Sequence, residues 1–501
     1  MTKQIKSLLG IMMALVMILS AGFGSSKVLA AGGNGEIKVT GTTQGKSYSA
    51  YKIFDLTQSG ENVSYTIAQE WEDFFTNGAG KEYIADKNNE QGNLNPIVVS
   101  GAVKYINITN ENIADFAKAA LGELYKEGIT KTQTKIADSE TLTFSGLELG
   151  YYLVHPEGAT EKAEDLVHLK GAPEKAEDQN SIVSLTSTTP KAEVKVKATY
   201  PTVEKKVDKP TADIGQELTY TLTSKVPDTT GYSKYTFKMT DTLSKGLTFI
   251  SKPEEVTVTI GSDPIEEHVT KKINGQELEV SFDMLQLQDK VGQTITITYK
   301  AKLNKDAVIT DKANPNEVTL QYSNDPKDHE STDTTKDNEK VFTAKVIVNK
   351  VDGKDQKALE GAKFKLKNDQ DKYYKVDEST KEVTWVDKEE ATEVETKIGT
   401  VEKATATFDG LAEGTYYLVE TKAPEGYNLL TEEKEVEIIV TKEKETVTAI
   451  IDGQATVENN SGVELAGVGG MGTTLFTIIG GGVILIALFS LAKGKVKKER
   501  N

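Results

Sequence analysis

The chain has 501 residues, 37% hydrophobic and 27% charged, enough for about three ordinary domains. It has no Cys, which excludes disulfide scaffolds, thiol catalysis, Cys-ligated zinc and internal thioesters, and four His leave little for a His-built metal or acid–base centre. Arg occurs only at Arg500, which excludes bidentate Arg clamps and an Arg-Gly-Asp tripeptide. Of the net charge of −17, residues 1–30 contribute +3 and residues 469–501 contribute +4, so −24 lies between them. A nucleic-acid or anionic-membrane partner is therefore not expected, nor any metal or cofactor.

In chain order, residues 1–30 come first. A Lys-bearing start, an apolar stretch from Leu8 to Leu19 and the small-residue exit Val28-Leu29-Ala30 read as a signal peptide cleaved after Ala30. The next part, 31–195, holds the clearest helical periodicity. Ile113, Phe116, Ala120, Leu121 and Leu124 line one face of a predicted helix from Asn110 to Gly128, and a shorter helix is predicted around Ala68 to Phe75. Ser187 to Pro190 leads into a connector, Val194 to Pro201. Residues 196–340 and 341–462 read as two nearly all-β domains of short alternating runs, such as Leu218 to Leu222, Thr294 to Tyr299 and Val436 to Val440. The polar, acidic stretch from Asn324 to Glu339 closes the first of these, and Ser461 to Gly470 is a stalk. The expected fold is mainly β, tandem immunoglobulin-like sandwiches with helices added to the first.

The C-terminal part, 463–501, contains a 20-residue apolar segment, Thr473 to Ala492, long enough to cross a bilayer. Lys493, Lys495, Lys497, Lys498 and Arg500 follow as a basic tail. Leu465-Ala466-Gly467-Val468-Gly469-Gly470 stands before it. This order resembles the cell-wall sorting signal of Gram-positive surface proteins, in which a sortase cuts between Thr and Gly of LPxTG. Here the cut falls between Val468 and Gly469; Ala466 replaces Pro and Val468 replaces Thr. A plain C-terminal membrane anchor is the other reading.

An internal repeat links the first and third domains. Gly410-Leu411-Ala412-Glu413-Gly414-Thr415-Tyr416-Tyr417-Leu418-Val419-Glu420 is echoed by Gly146-Leu147-Glu148-Leu149-Gly150-Tyr151-Tyr152-Leu153-Val154-His155, with His155 read against Glu420.

Polar residues on apolar faces carry the chemistry. Strand residues two apart share a face. Val346 and Val348 thus share one with Lys350, Tyr416 and Leu418 with Glu420, and Val457 with Asn459. In the middle domain Val203 and Val207 share a face with Lys205, Phe237 and Met239 with Asp241, and Val318, Leu320 and Tyr322 with Asn316. Lys206, Asn314 and Asn324 rank below these. A buried amine and carboxyl must pair or neutralise, and burial lowers a Lys pKa and raises a carboxyl pKa. A neutral amine is a nucleophile, and a protonated acid can polarise the Asn carboxamide and pass the proton to leaving ammonia. The product is a Lys–Asn isopeptide bond. With so many Lys, chance placement on an edge strand is the bland alternative.

The third domain resembles the collagen-adhesin B-type domain of Gram-positive pilins and adhesins in Lys350-Val351-Asp352, in Leu359-Glu360-Gly361-Ala362-Lys363-Phe364, and in the pilin E-box from Tyr417 to Tyr427. The middle domain is similar to the fimbrial isopeptide-forming domain in Val203-Glu204-Lys205-Lys206-Val207, in Thr240-Asp241-Thr242-Leu243, and in the stretch from Asn314 to Asn324. With both ends, nearly the whole chain resembles a sortase-assembled backbone pilin. The resemblance implies two bond-forming triads, Lys350/Glu420/Asn459 and Lys205/Asp241/Asn316, and none in the first domain. It also implies a donor Lys between the first and middle domains. The family's YPK motif is broken, since Thr202 follows Tyr200-Pro201, so Lys197 is the chosen donor, with Lys195 next.

The implied function is a structural pilus-shaft subunit at a Gram-positive cell surface, not an enzyme. Its partners are copies of itself, sortase, peptidoglycan, and minor pilins or host surface ligands. The rival is a monomeric wall-anchored adhesin binding host matrix through its first domain.

Overall fold

The structure is a computed structural model. It describes residues 34–462 except 60–61, 91, 93, 109–111, 125–128, 160–181, 186–190, 197, 199, 230, 311, 401 and 445. The expected signal peptide, the motif at 465–470, the apolar segment 473–492 and Lys197 lie outside the described residues. Among the described residues no helix is long and apolar enough to cross a membrane.

The fold is mainly β. One compact unit runs to Phe342 and a second starts at Thr343, with Ile309 and Thr310 counted in the second. Within the first unit the apolar residues of 37–196 and those of 203–341 form separate cores.

In the N-terminal part, Gly35–Thr40 lies between Thr141–Leu147 (antiparallel) and Lys191–Lys195 (parallel). Ile37, Val39, Phe144 and Val194 from these strands are fully buried. Val194 therefore closes a sheet; it does not open a connector as its sequence suggests. Lys191-Ala192-Glu193-Val194-Lys195 does alternate, but two apolar residues among three charges make too short a run to stand out, and its parallel partner lies far away along the chain. The larger sheet, built on Ser47–Ser59 and Gly150–Pro156, carries the helical layer. That layer comprises the helix Ile113–Leu124 and a 3-10 turn, Gln69–Trp71, running into the short helix Glu72–Thr76. Phe116 packs its ring within 5.0–6.3 Å of the rings of Phe74, Phe75 and Tyr83.

Residues 203–341 form two facing sheets. One places Glu204–Val207, Glu217–Lys225 and Thr294–Leu303 side by side. The other places Phe237–Leu243, Asn314–Ser323 and Thr332–Val341 side by side, the last at the edge. Strict apolar/polar alternation dictates the inner strands, and Leu218, Tyr220 and Leu222 are buried against the same core as Met239, Val318 and Leu320. Thr332–Val341 corrects the sequence reading of 324–339 as a closing polar stretch. Its Thr, Asp, Lys, Asn and Glu residues carry no apolar alternation, because only one face of an edge strand is even half covered.

In the second unit, Ala344–Asp352 pairs antiparallel with Ala404–Leu411 and parallel with Gly453–Asn459. The facing sheet orders Lys363–Asn368, Gly414–Lys422, Lys434–Glu443 and Thr446–Ile451. The internal repeat is one sheet-to-sheet corner used twice: Thr141–Leu147 and Gly150–Pro156 lie in different sheets, as do Ala404–Leu411 and Gly414–Lys422. Gly146 and Gly410 have φ of 72° and 76°, left-handed values that favour glycine. Tyr152 and Tyr416 each donate a hydroxyl hydrogen bond to the carbonyl four residues upstream, on Glu148 (2.8 Å) and Ala412 (3.0 Å).

The aromatic seam under the helix gives a direct test. Phe116→Ala leaves a cavity at a fully buried site and is expected to cost about 3–5 kcal/mol in urea unfolding of the N-terminal part.

Candidate bond-forming sites

Both proposed triads converge in the structure, by different routes. In the middle domain Lys205 comes from one sheet, while Asp241 and Asn316 come from the other, on adjacent antiparallel strands in which Leu243 opposes Asn316 and Asp241 opposes Val318. Lys205 is 3% exposed, and Asp241 and Asn316 are both fully buried. The Lys205 ammonium donates to the Asp241 carboxylate and, at 3.0 Å, to the hydroxyl of Tyr299. That hydroxyl donates to Asp241 Oδ1 at 2.7 Å and accepts from Asn316 Nδ2 at 2.7 Å. Lys205 Nζ also lies 5.1 Å from the ring centroid of Tyr220. Burial pushes the Lys205 pKa down and the Asp241 pKa up. Both shifts favour the neutral amine–acid pair over the ion pair.

In the C-terminal sandwich Lys350 and Asn459 sit on adjacent parallel strands, Lys350 opposite Val457. Asn459 is two residues further along the same face, an offset of about 6–7 Å that a lysine stem can span. Glu420 reaches in from the facing sheet. Its Oε2 accepts from Asn459 Nδ2 and from the Leu430 amide, each at 2.9 Å. Lys350, fully buried, donates to the Val457 carbonyl at 3.0 Å. Burial lowers its pKa to about 8, against the opposing pull of Glu420. In both sites the carboxamide oxygen, Oδ1 of Asn316 and of Asn459, is buried with no hydrogen-bond partner among the described residues. Such an oxygen is open to polarisation by an acid proton.

The residues ranked lower behave differently. Asn314 is buried, but its side chain is committed to backbone groups of Val308 and Val341. Asn324 donates to Asp333, which pairs with Lys46 at 3.0 Å. This third amine–carboxyl–carboxamide set is wetter, with Lys46 and Asp333 side chains 15% and 28% exposed. That access to water sets it apart from the two dry sites.

The first domain's register corrects the reading of His155 as the counterpart of Glu420. The matching tyrosine bonds align Tyr152 with Tyr416, so Pro156 falls at the position of Glu420, and His155 belongs to the alternate face. The strand registers likewise put Gly41 at the position of Lys350 and Ala198 at that of Asn459. None of the three carries an amine, carboxyl or carboxamide.

Sequence reasoning missed Tyr299. Its signal was present, since Ile295, Ile297 and Tyr299 share an inward face, and a buried tyrosine hydroxyl needs a partner.

Comparison with known proteins finds similarity over both sandwiches. Residues 214–326 match the Gram-positive pilin backbone subunit 2, Cna-B-like domain, and residues 344–454 match the SpaA prealbumin-like fold domain. Through these segments the chain is similar to domains of Gram-positive backbone pilins. It is 26% identical over 269 residues to the trypsin-resistant surface T6 protein of Streptococcus pyogenes, covering 48% of this chain and 46% of that one. It is 30% identical over 129 residues to platelet adherence protein A of Streptococcus gordonii, covering 25% of this chain and 3% of that one. The chain thus spans under half the length of these curated relatives. Similar solved structures include the T6 backbone pilin of Streptococcus pyogenes (18% identity, 86% of this chain and 98% of that one, TM-score 0.48). Another is the group B streptococcus pilus 2b backbone protein (27% identity, 52% and 99%, TM-score 0.43).

The depressed pKa of Lys350 sets a pH dependence in a chain that cannot form the bond, Asn459→Ala. Between about 8 and the ordinary value of 10.5 the unfolded chain holds a proton that the folded chain has lost. Stability therefore rises with pH across that window, by on the order of 3 kcal/mol. Urea midpoints of Asn459→Ala, referenced to Lys350→Met/Asn459→Ala, measure it; a difference that stays flat with pH would refute it.

Proposed function

We propose that this protein is the repeating shaft subunit of a covalently polymerised surface pilus of a Gram-positive bacterium, each copy stiffened by two self-formed Lys–Asn isopeptide bonds. One observation carries the reading: two separate sandwiches each bury an amine, a carboxyl and a carboxamide together. In each site the neutral Lys nitrogen attacks the Asn Cγ, the acid (Asp241 or Glu420) polarises the carbonyl, and ammonia leaves. The bonds are Lys205 to Asn316 and Lys350 to Asn459. Each site consumes itself once, so the protein is structural and does not turn over.

Polymer growth in this reading joins the Val468 carbonyl, freed from Gly469 by a sortase, to Lys197 of the next copy. The last copy is passed to peptidoglycan, and minor pilins or host ligands bind the finished fibre. The proposed parts are 31–195, 196–340 and 341–462, between a signal peptide and a sorting segment. The kinship with backbone-pilin domains supports this assembly. Head-to-tail joining that does not close on itself yields a filament.

The intact mass of the purified exported part tests the bonds. Each bond expels one ammonia, so the chain is expected to weigh about 34 Da less than its sequence, and Glu420→Ala or Asp241→Ala about 17 Da less. A full-weight chain sinks the bonds. Polymerisation is read separately, from wall digests. A Lys197–Val468 peptide supports the shaft, and a monomer-only wall fraction supports an anchored adhesin.

A further inference from the structure

We propose that Tyr299 is a catalytic residue of the middle-domain bond, carrying the amine proton across to the departing nitrogen. This deepens the bond-forming reading above and rests on it. The phenol oxygen is the one atom in hydrogen-bond contact with all three groups of the triad: Lys205 Nζ at 3.0 Å, Asn316 Nδ2 at 2.7 Å and Asp241 Oδ1 at 2.7 Å. Its ring is held in place by Tyr220, directly opposite on the neighbouring strand and stacked at 5.4 Å with 13° between planes. The residue is 1% exposed, so water does not compete for the role.

The chemistry needs such a group. Lys205–NH2 adds to the Asn316 carboxamide, the C–N bond to Nδ2 breaks, and the products are Lys205–NH–CO–Asn316 and NH3. One proton must leave Nζ and one must reach Nδ2. The Tyr299 oxygen takes the first while its own hydrogen, which rests on Asp241 Oδ1, swings across to Nδ2 as the C–N bond breaks, and the phenol is regenerated with no net change. Burial holds the Tyr299 pKa well above its ordinary value, so the group stays a neutral relay and does not become a phenolate base. The C-terminal site takes a different route, because Asn459 Nδ2 there donates straight to Glu420 Oε2. One chain therefore holds a phenol-bridged site and an acid-direct site, each a control for the other.

The test follows both cross-links by peptide mass mapping at successive times after synthesis of the exported chain carrying Tyr299→Phe. The Lys350–Asn459 link is expected to form as in the unsubstituted chain. The Lys205–Asn316 link is expected to form at least about 100-fold more slowly, the scale of a lost proton-transfer group. Tyr299→4-aminophenylalanine, which restores a proton-carrying group on the same ring, is expected to recover it. Two results overturn the proposal. In one, the Phe variant forms both links at the unsubstituted rate. In the other, its middle domain loses the hydrogen-exchange protection kept by Asn316→Ala, which makes Tyr299 a packing residue only. Failure of the underlying reading is seen separately, as an unsubstituted chain that expels no ammonia.

Discussion

A lysine amine sealed inside an apolar sandwich is the constraint from which the rest of this molecule follows. Left charged and alone, it would cost more than a domain can spare. The second unit places Lys350 against a strand carbonyl, and the middle sandwich places Lys205 against Asp241 and a phenol. Both environments lower the amine pKa. What is a burden for stability becomes a reagent once a carboxamide lies within reach, since packing supplies the proximity that dilute amines and amides lack.

The two sites show that the sandwich architecture does not dictate one arrangement. In the C-terminal sandwich amine and carboxamide share a sheet and the acid faces them; in the middle one acid and carboxamide share a sheet and the amine faces them. What the two have in common is dryness. The set of Lys46, Asp333 and Asn324 contains the same functional groups yet keeps partial access to water, and it reads as an ordinary ion pair lying over the rings of Tyr200 and Tyr322. Residue type alone therefore does not mark a reactive site.

Much of this was legible from period-two alternation. Lys205, Asp241, Asn316, Lys350, Glu420 and Asn459 each sit in phase with buried Val, Met, Leu or Tyr, and a residue in phase with a core must enter it. Beyond the short strand Lys191–Lys195, three further features were not legible, each for its own reason. Thr332–Val341 is polar on both faces, so composition made it look like a polar stretch closing the domain. Tyr299 was in phase with Ile295 and Ile297, but an aromatic at a core position looks like packing until its hydroxyl is traced. His155 was aligned by matching letters, whereas strand phase is fixed by where Tyr152 and Tyr416 anchor, and the letters run one residue out of step.

The strand Thr332–Val341 has a consequence beyond its own sandwich. An open sheet border is a template on which a neighbouring molecule can lay down another strand. Here that border shows Lys336 and Lys340 to solvent and turns Asp337 back onto the Lys205 amide. Two molecules lying flank to flank thus meet solvated, charged side chains that must be stripped of water before the border can pair. Lateral zippering of copies through this border is discouraged.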